Sequence, residues 1–165
     1  MMHLKKQHLL LFLGIIFFSF GYAQDNSMVV DWADILTEEE EEKLGQELNE
    51  LEQSIGSQMV VHTIESLEGE KIEEYSLRMA NAWEIGRKDY DDGILITVAL
   101  WDRKVRIEVG YGLEKIIKNE IADQIIQESM MPNFKEENYY EGIMEAVIKI
   151  KTLIKENKEL VGQHN

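Results

Sequence analysis

The chain has 165 residues, which suffices for one ordinary domain and not comfortably for two. Apolar residues make up 44% of it, so a hydrophobic core is expected and wholesale disorder is excluded. The formal net charge of −15 makes nucleic acid a poor partner, because such a surface repels phosphate groups. Divalent cations and basic protein surfaces are better candidates, although a need for solubility alone would also explain the charge.

The first residues have the pattern of a secretory signal. Lys5 and Lys6 precede an apolar run over residues 9–20. Gly21-Tyr22-Ala23 then places small residues at the two positions that signal peptidase recognises. We therefore expect residues 1–23 to be a signal peptide that is cleaved after Ala23, and the mature protein to be periplasmic or secreted, with no membrane insertion. An uncleaved N-terminal anchor is the alternative, but the apolar run is short of the about 20 residues that a membrane span needs.

Removal of the signal would make the protein still more acidic. Residues 1–23 contain two lysines and no acid, so the formal charge changes from −15 to −17. The chain has no cysteine, so neither a lipoprotein anchor nor a disulfide is expected, and stability must come from packing.

Thr37 is predicted to begin the first helix. Thr37 and Glu40 form the T-x-x-E pattern of a capping box, in which two backbone N–H groups are satisfied reciprocally. Apolar residues then recur at helical spacing, and Gly56 is a natural stop; they are Leu44, Leu48, Leu51 and Ile55. The glutamate run 38–42 is therefore interpreted as a helix start, where the helix dipole favours negative charge, rather than as a metal site.

The remaining chain alternates between strand and helix patterns. We predict strands at 58–64, 94–100 and 104–109, and helices at 71–83, 119–130 and 139–158. Pro132, the only proline, is expected to separate the last two helices. This order predicts a single α/β domain over residues 24–158, with a small mixed sheet covered by helices on both faces and a frayed tail at 159–165. The strands at 58–64 and 94–100 should be parallel, because a helix connects them.

The hairpin formed by the last two strands brings several carboxylates together. Its antiparallel geometry places loops 87–93 and 110–114 at one rim of the sheet. Carboxylates on such loops suit a hard divalent cation, which prefers several oxygen ligands; those expected here are Asp89, Asp91, Asp92 and Glu114. A solvated polar turn is the alternative, since the residues from Asp89 onward do not match the spacing of an EF-hand loop.

Two other motifs offer little chemistry. Gly110-Tyr111-Gly112 follows a strand, but Lys115 stands where a dinucleotide-binding loop has its third glycine, so the glycines are interpreted as residues with positive φ at a tight turn. His62 lies inside a predicted strand, where a packed histidine is commoner than a catalytic one. No serine or cysteine nucleophile motif is present, so an enzyme of this sequence would need carboxylates and a metal.

Several segments of the chain, in order, resemble the TPM domain. They are Val30-Asp31-x-Ala33-x-Ile35-Leu36-Thr37, Trp83-x-Ile85-Gly86, Asp92-Gly93-Ile94-Leu95, and the block from Arg103 to Glu114 that ends in VGYGLE. The resemblance covers about residues 28–157. It implies a three-layer α/β/α sandwich with a twisted, Rossmann-like sheet, a calcium site, and an acid phosphatase activity that is proposed for plant members.

The resemblance also bears on individual residues. Asp92 matches the aspartate before the family's glycine, and Asp31 matches the acid near the start of the domain, so Asp31 joins the four rim carboxylates as a candidate ligand. Many bacterial members continue into a membrane helix and a glycine-rich tail, whereas this sequence stops at residue 165. We accordingly expect a stand-alone, soluble, monomeric version.

Three functions follow from these observations. The first is a divalent-cation-binding domain of the cell envelope that holds Ca²⁺ or Mg²⁺ on Asp31, Asp89, Asp91, Asp92 and Glu114. The second is a metal-assisted phosphatase that uses the same carboxylates. The third is an adaptor whose acidic surface binds a basic envelope protein.

Overall fold

The structure is a computed structural model that describes residues 28–163, so the predicted signal peptide lies outside the described residues. A four-stranded sheet is at the centre of this described part, with the strands in the order β1-β2-β3-β4. They are β1 (Val29–Asp31), β2 (Gln58–Ile64), β3 (Gly93–Ala99) and β4 (Lys104–Val109). β1, β2 and β3 are parallel to one another, and β4 is antiparallel to β3. The mixed sheet, the parallel crossover and the hairpin predicted from the sequence are confirmed.

Within the described residues, five α-helices surround the sheet: α1 (Glu38–Ile55), α2 (Ile72–Ala82), α3 (Asn119–Ile125), α4 (Met131–Lys135) and α5 (Tyr139–Glu156). Short 3₁₀ turns follow β4 and α5, at Tyr111–Leu113 and Lys158–Leu160. Among residues 28–163, no helix combines the length and the apolar character that a bilayer crossing requires.

The side chains of the central strands alternate between two apolar layers, as the pleat of a strand requires. Ile94, Ile96 and Val98 of β3 belong to the large core, together with buried residues of α1 and α5. The residues that alternate with them along β3 point to the other face of the sheet, where Ala99 joins a smaller apolar cluster beside α2. Helices therefore cover both faces of the sheet, and the predicted α/β fold is confirmed.

The first helix begins and ends where the sequence predicts. The N–H of Thr37 donates to Glu40 Oε2 at 2.7 Å, and the N–H of Glu40 donates to Thr37 Oγ1 at 3.3 Å, which completes the capping box. Gly56 ends the helix with φ +93°, a left-handed conformation that glycine adopts without a Cβ penalty.

A buried lysine joins the first helix to the last. Lys151 of α5 is 8% exposed and donates to Glu47 and, at 2.9 Å, to Glu50. Burial alone would lower the pKa of Lys151, but the hydrogen bonds to the two glutamates outweigh it and raise the pKa. Lys155 also donates to Glu50, at 2.5 Å, so two cations of α5 hold one carboxylate of α1.

The structure differs from the prediction at Pro132, which does not separate two helices. Helical structure continues from α3 through a π-helical turn, Ile126–Met130, into α4. The N–H of Met131 bonds to Ile126 O in this wider turn, and Pro132 then sits in the first turn of α4. The actual break falls after Lys135, where Glu137 has φ +61°.

The last described residues, 158–163, make backbone hydrogen bonds. Residues 158–160 form the 3₁₀ turn, and the N–H of Gly162 donates to Gly112 O at 2.9 Å. The frayed tail at 159–165 stays a prediction. The chain returns at its end to the rim of the sheet where the hairpin opens.

Candidate functional site

The open end of the β3–β4 hairpin forms one continuous rim. The N–H of Gly110 donates to Gly93 O at 2.8 Å, and the N–H of Gly112 donates to Asp91 O at 2.9 Å. The loop before β3 and the loop after β4 are thus bound to each other through their backbones. The predicted proximity of residues 87–93 and 110–114 is confirmed.

The glycines of this rim serve close approach rather than positive φ. Gly110 has φ −66°, and a Cβ on it would lie 2.2 Å from Asp91 O. A Cβ on Gly112 would lie 1.7 Å from Tyr90 O, well inside any tolerable contact. The prediction that these glycines supply positive φ is therefore wrong, and their function is to let two backbones touch.

An open cleft of about 850 Å³ lies beside this rim, between β4, the end of α2 and the segment that leads into α3. Its apolar lining includes Ile85, Leu95 and Ile117. Carboxylates and cations stand around this lining; they are Asp91, Glu108, Glu114 and Glu120, with Arg106, Lys115 and Lys118. Arg106 is bound to its own neighbour, since its Nε donates to Glu108 Oε2 at 2.9 Å.

Asp92, one of the predicted ligands, is buried and bound to an arginine. It is 0% exposed, and its Oδ1 accepts the backbone N–H of Arg87 at 2.8 Å. Its Oδ2 accepts Arg87 Nε at 2.9 Å, Arg87 Nη2 at 2.5 Å and Ser57 Oγ at 3.1 Å. The guanidinium also lies over the ring of Tyr90, 3.9 Å from its centroid. Asp92 thus fixes the loop before β3 and does not face the cleft as a ligand.

Asp31, the second candidate that the resemblance suggested, lies at the opposite end of the sheet. The register aligns Asp31 with Thr63 and Thr63 with Val98, six residues along β3 from Asp92, or about 20 Å. Asp31 Oδ2 accepts the N–H of Leu36 at 2.8 Å, and Oδ1 accepts the hydroxyl of Thr63. Its carboxylate holds the turn between β1 and α1.

The five predicted metal ligands therefore do not form one group. Asp31 and Asp92 have structural partners, and Asp89 is exposed on the loop before β3 without lining the cleft. Asp91 and Glu114 are the two that line it together. Among residues 28–163, no group of three or more acidic or histidine side chains is arranged to hold a metal ion. The donors that remain at the cleft are nevertheless the oxygen type that a hard cation prefers.

His62 is packed and hydrogen-bonded, as its position in a strand indicated. Its Nδ1 lies 3.1 Å from Val30 O and its Nε2 lies 2.9 Å from the hydroxyl of Tyr75. Burial lowers its pKa. The rings of Trp32 and Trp83 stand edge-on to the imidazole, with centroids 4.7 Å and 4.9 Å away.

Sequence reasoning missed Arg87 and Trp32. Arg87 is five residues before Asp92 in a charged loop, and that spacing alone does not distinguish a buried ion pair from a solvated one. Trp32 is 61% exposed although it is large and apolar, and only its position between two aspartates could have marked it as a surface residue.

The fold and the site together define the class of this protein. It is a three-layer α/β domain with an open, mixed-charge cleft at a glycine-rich rim. The family model described as the TPM domain matches residues 29–153, and the chain belongs to this family.

Solved structures agree with that assignment. The N-terminal domain of a protein from P. gingivalis is similar at 29% identity and a TM-score of 0.76, over 87% of this chain and 90% of that one. BA42 from Bizionia argentinensis shares the fold at 19% identity and a TM-score of 0.64, over 73% and 82% of the two chains. The N-terminal domain of cg2496 from Corynebacterium glutamicum also shares the fold, at 13% identity and a TM-score of 0.61, over 80% of this chain and 81% of that one. A comparison with curated proteins finds no match.

Proposed function

We propose that this TPM domain is a binding domain of the cell envelope whose rim cleft takes a divalent cation, Ca²⁺ or Mg²⁺. The observation that carries the proposal is the backbone pairing of the two rim loops, because it brings Asp91 and Glu114 to one cleft. Both side chains are exposed, so the cation would keep much of its hydration there. Glu108 and Glu120 line the same cleft and add to its negative potential.

The arrangement favours weak rather than tight binding. Tight calcium sites supply six to eight oxygen ligands from a closed loop, whereas this cleft is open and contains cations as well as acids. We therefore expect a dissociation constant of about 1 mM, the range of extracellular calcium modules. Such a site would be filled only where the cation is abundant, as it is outside the cytoplasm.

A calcium titration followed by amide NMR tests the proposal. Signals of residues 91 and 108–120 should shift up to about 10 mM CaCl₂, with saturation near the expected constant. Asp91→Asn and Glu114→Gln should each weaken binding about threefold or more, because each removes one charged ligand. Asp123→Asn, on the exposed surface of α3, is the matched control. Shifts that are absent from the cleft, or unchanged in both variants, would remove the basis for this site.

The phosphatase activity that the resemblance implies would draw on the same cleft. Asp92 is unsuited to act there as a metal ligand, because its two oxygens already accept bonds from Arg87 and Ser57. A test is hydrolysis of a phosphomonoester by the purified domain and by the double variant Asp91→Asn/Glu114→Gln. Activity that survives in the double variant would not come from this cleft.

A surface around Trp32 favours the third function, binding of a basic partner. Trp32 is exposed and its ring lies 6.2 Å from that of Trp83, at an interplanar angle of 90°. Asp31 and Asp34 flank it in the chain, and acidic groups lie close together at the start of α1: partial burial raises the pKa of Glu41, and the negative charges of Asp31, Glu38 and Asp34 raise it further. An exposed ring on a segment of the chain that also carries acidic residues suits an arginine or lysine side chain, which is attracted by both.

Titration with an arginine-rich peptide, followed by calorimetry at low and high salt, tests this third function. Binding should fade with ionic strength and weaken about threefold in Trp32→Leu and in Asp34→Asn. Glu156→Gln, an exposed residue at the end of α5, controls for loss of charge alone. An acidic peptide that binds equally well would rule out recognition by charge.

A further inference from the structure

A second cavity lies at the closed end of the hairpin, at the opposite end of β3 and β4 from the rim. Its volume is about 300 Å³, at the lower limit of small-molecule sites. Val98 and Val105 of the two strands form one wall, and Met131 and Phe134 of α4 form another. Tyr139, the first residue of α5, completes the lining, and its ring packs edge-on against Phe134 at 5.2 Å.

The rim of this cavity is positively charged in a strongly acidic protein. Arg103, Lys104 and Lys135 all line it, against the single carboxylate of Glu137, so the local charge is +2 while the chain carries −15. All three cations are exposed, and within residues 28–163 none of them is in an ion pair. Several other cations of the described chain bind acids, as Arg87, Lys151 and Lys155 do.

The backbone holds one of these cations in an unusual conformation. Arg103 has φ +53°, a left-handed position that glycine or asparagine would occupy with less strain. Its N–H closes the turn by donating to Leu100 O at 3.2 Å. The hairpin turn therefore directs a guanidinium group at the cavity's edge in a place where local preference would favour a small residue.

From this arrangement we propose that the cavity binds a small anionic amphiphile, a carboxylate or phosphate head group on an aliphatic chain. The apolar wall between the strands and α4 takes the chain, and the head group lies among Arg103, Lys104 and Lys135. Charge complementarity selects an anion, because the three cations have no acidic partner that would have to be displaced. This site is distinct from the rim cleft and does not depend on the function proposed for that cleft.

Matched ten-carbon probes test the proposal by NMR titration of the whole domain. Decanoate and decyl phosphate should shift signals of residues 98–105 and 131–139, and the tighter of the two identifies the preferred head group. Decanol has the same chain without charge, decyltrimethylammonium has the opposite charge, and inorganic phosphate has no chain. Each of these three should bind at least about fivefold more weakly than the better anionic probe.

Charge-reversal variants separate a site from surface adsorption. Lys104→Glu and Lys135→Glu should each weaken binding of the anionic probe about fivefold, because each turns an attraction into a repulsion. Lys158→Glu, an exposed residue in the 3₁₀ turn after α5, should leave binding unchanged. All three positions are exposed, and an unchanged urea midpoint verifies that each variant is folded.

The proposal is overturned if decanol binds as tightly as the anions, or if inorganic phosphate equals decyl phosphate. It is also overturned if both charge reversals leave the affinity unchanged. Shifts that occur only outside residues 98–105 and 131–139 would likewise place the probe elsewhere.

Discussion

Replacing the buried carboxylate of Asp92 should destabilise the domain strongly. Asp92→Ala removes the acceptor of four hydrogen bonds, three from Arg87 and one from Ser57. Loss of one partner from a buried ion pair typically costs about 3–5 kcal/mol, because the other partner is left uncompensated. The side chain of Arg87 is 37% exposed, so water can replace part of what it loses. We therefore expect a loss of about 3 kcal/mol, at the lower end of that range.

Urea denaturation measures this loss. With a slope of about 2 kcal/mol per molar, the midpoint of Asp92→Ala should fall by roughly 1.5 M while the slope stays the same. Asp89→Ala is the matched control, since Asp89 is an exposed aspartate of the same loop. Its free energy of unfolding should stay within about 0.5 kcal/mol of the native value.

A double-mutant cycle with Arg87→Ala shows whether the ion pair is responsible. Arg87 also covers Tyr90 and packs against Gly56, so its single substitution includes other losses. The cycle cancels them and should leave a coupling of at least about 1.5 kcal/mol. A loss below about 1 kcal/mol in Asp92→Ala, or strictly additive single effects, would refute the reasoning.

Three further perturbations have defined outcomes. Gly112→Ala should cost about 2–3 kcal/mol in urea unfolding, because its Cβ would lie 1.7 Å from Tyr90 O; an unchanged midpoint would contradict the close approach. The hydrogen bond from Lys155 and, to a smaller extent, that from Lys151 lower the pKa of Glu50 to about 2. The ionised Glu50 therefore stabilises the folded protein fully above pH 4.5, and this contribution disappears as the pH falls towards 2. The midpoints of Glu50→Gln and of the native protein should therefore differ at pH 7 and converge in acid. Burial lowers the pKa of His62 below 6.5, so the unfolded state binds more protons and stability should rise as the pH approaches 6.5; an NMR titration midpoint above 6.5 would be incompatible with this burial.

Most of the fold could be predicted because local and global signals agree. The capping box at Thr37 and the glycine at Gly56 enclose one helix, and the apolar run 94–100 corresponds closely to the central strand β3. The prediction that Pro132 separates two helices is wrong because the rule that proline ends a helix assumes a regular α-helix. A π-helical turn precedes it here and shifts the hydrogen-bond pattern, and the sequence has no simple marker for such a turn.

The candidate site could be predicted only in outline. Hairpin geometry was enough to place Asp91 and Glu114 at one rim. It was not enough to show that Asp92, one residue further, turns into the protein and meets Arg87. The turn before β3 decides which of the two neighbouring aspartates faces inward. Which one does so depends on the positive φ of Asp91, +46°, a backbone detail that composition does not specify.

The order of the strands has a consequence for how the chain folds. Each strand pairs with the one before it in the sequence, so a chain that emerges amino-terminus first presents its strands in the order in which the sheet assembles. The large core is completed only by α5, whose buried residues come after position 141. A fragment that ends before α5 would hold a complete sheet with one apolar face only partly covered by α1. Such incomplete chains are expected to aggregate.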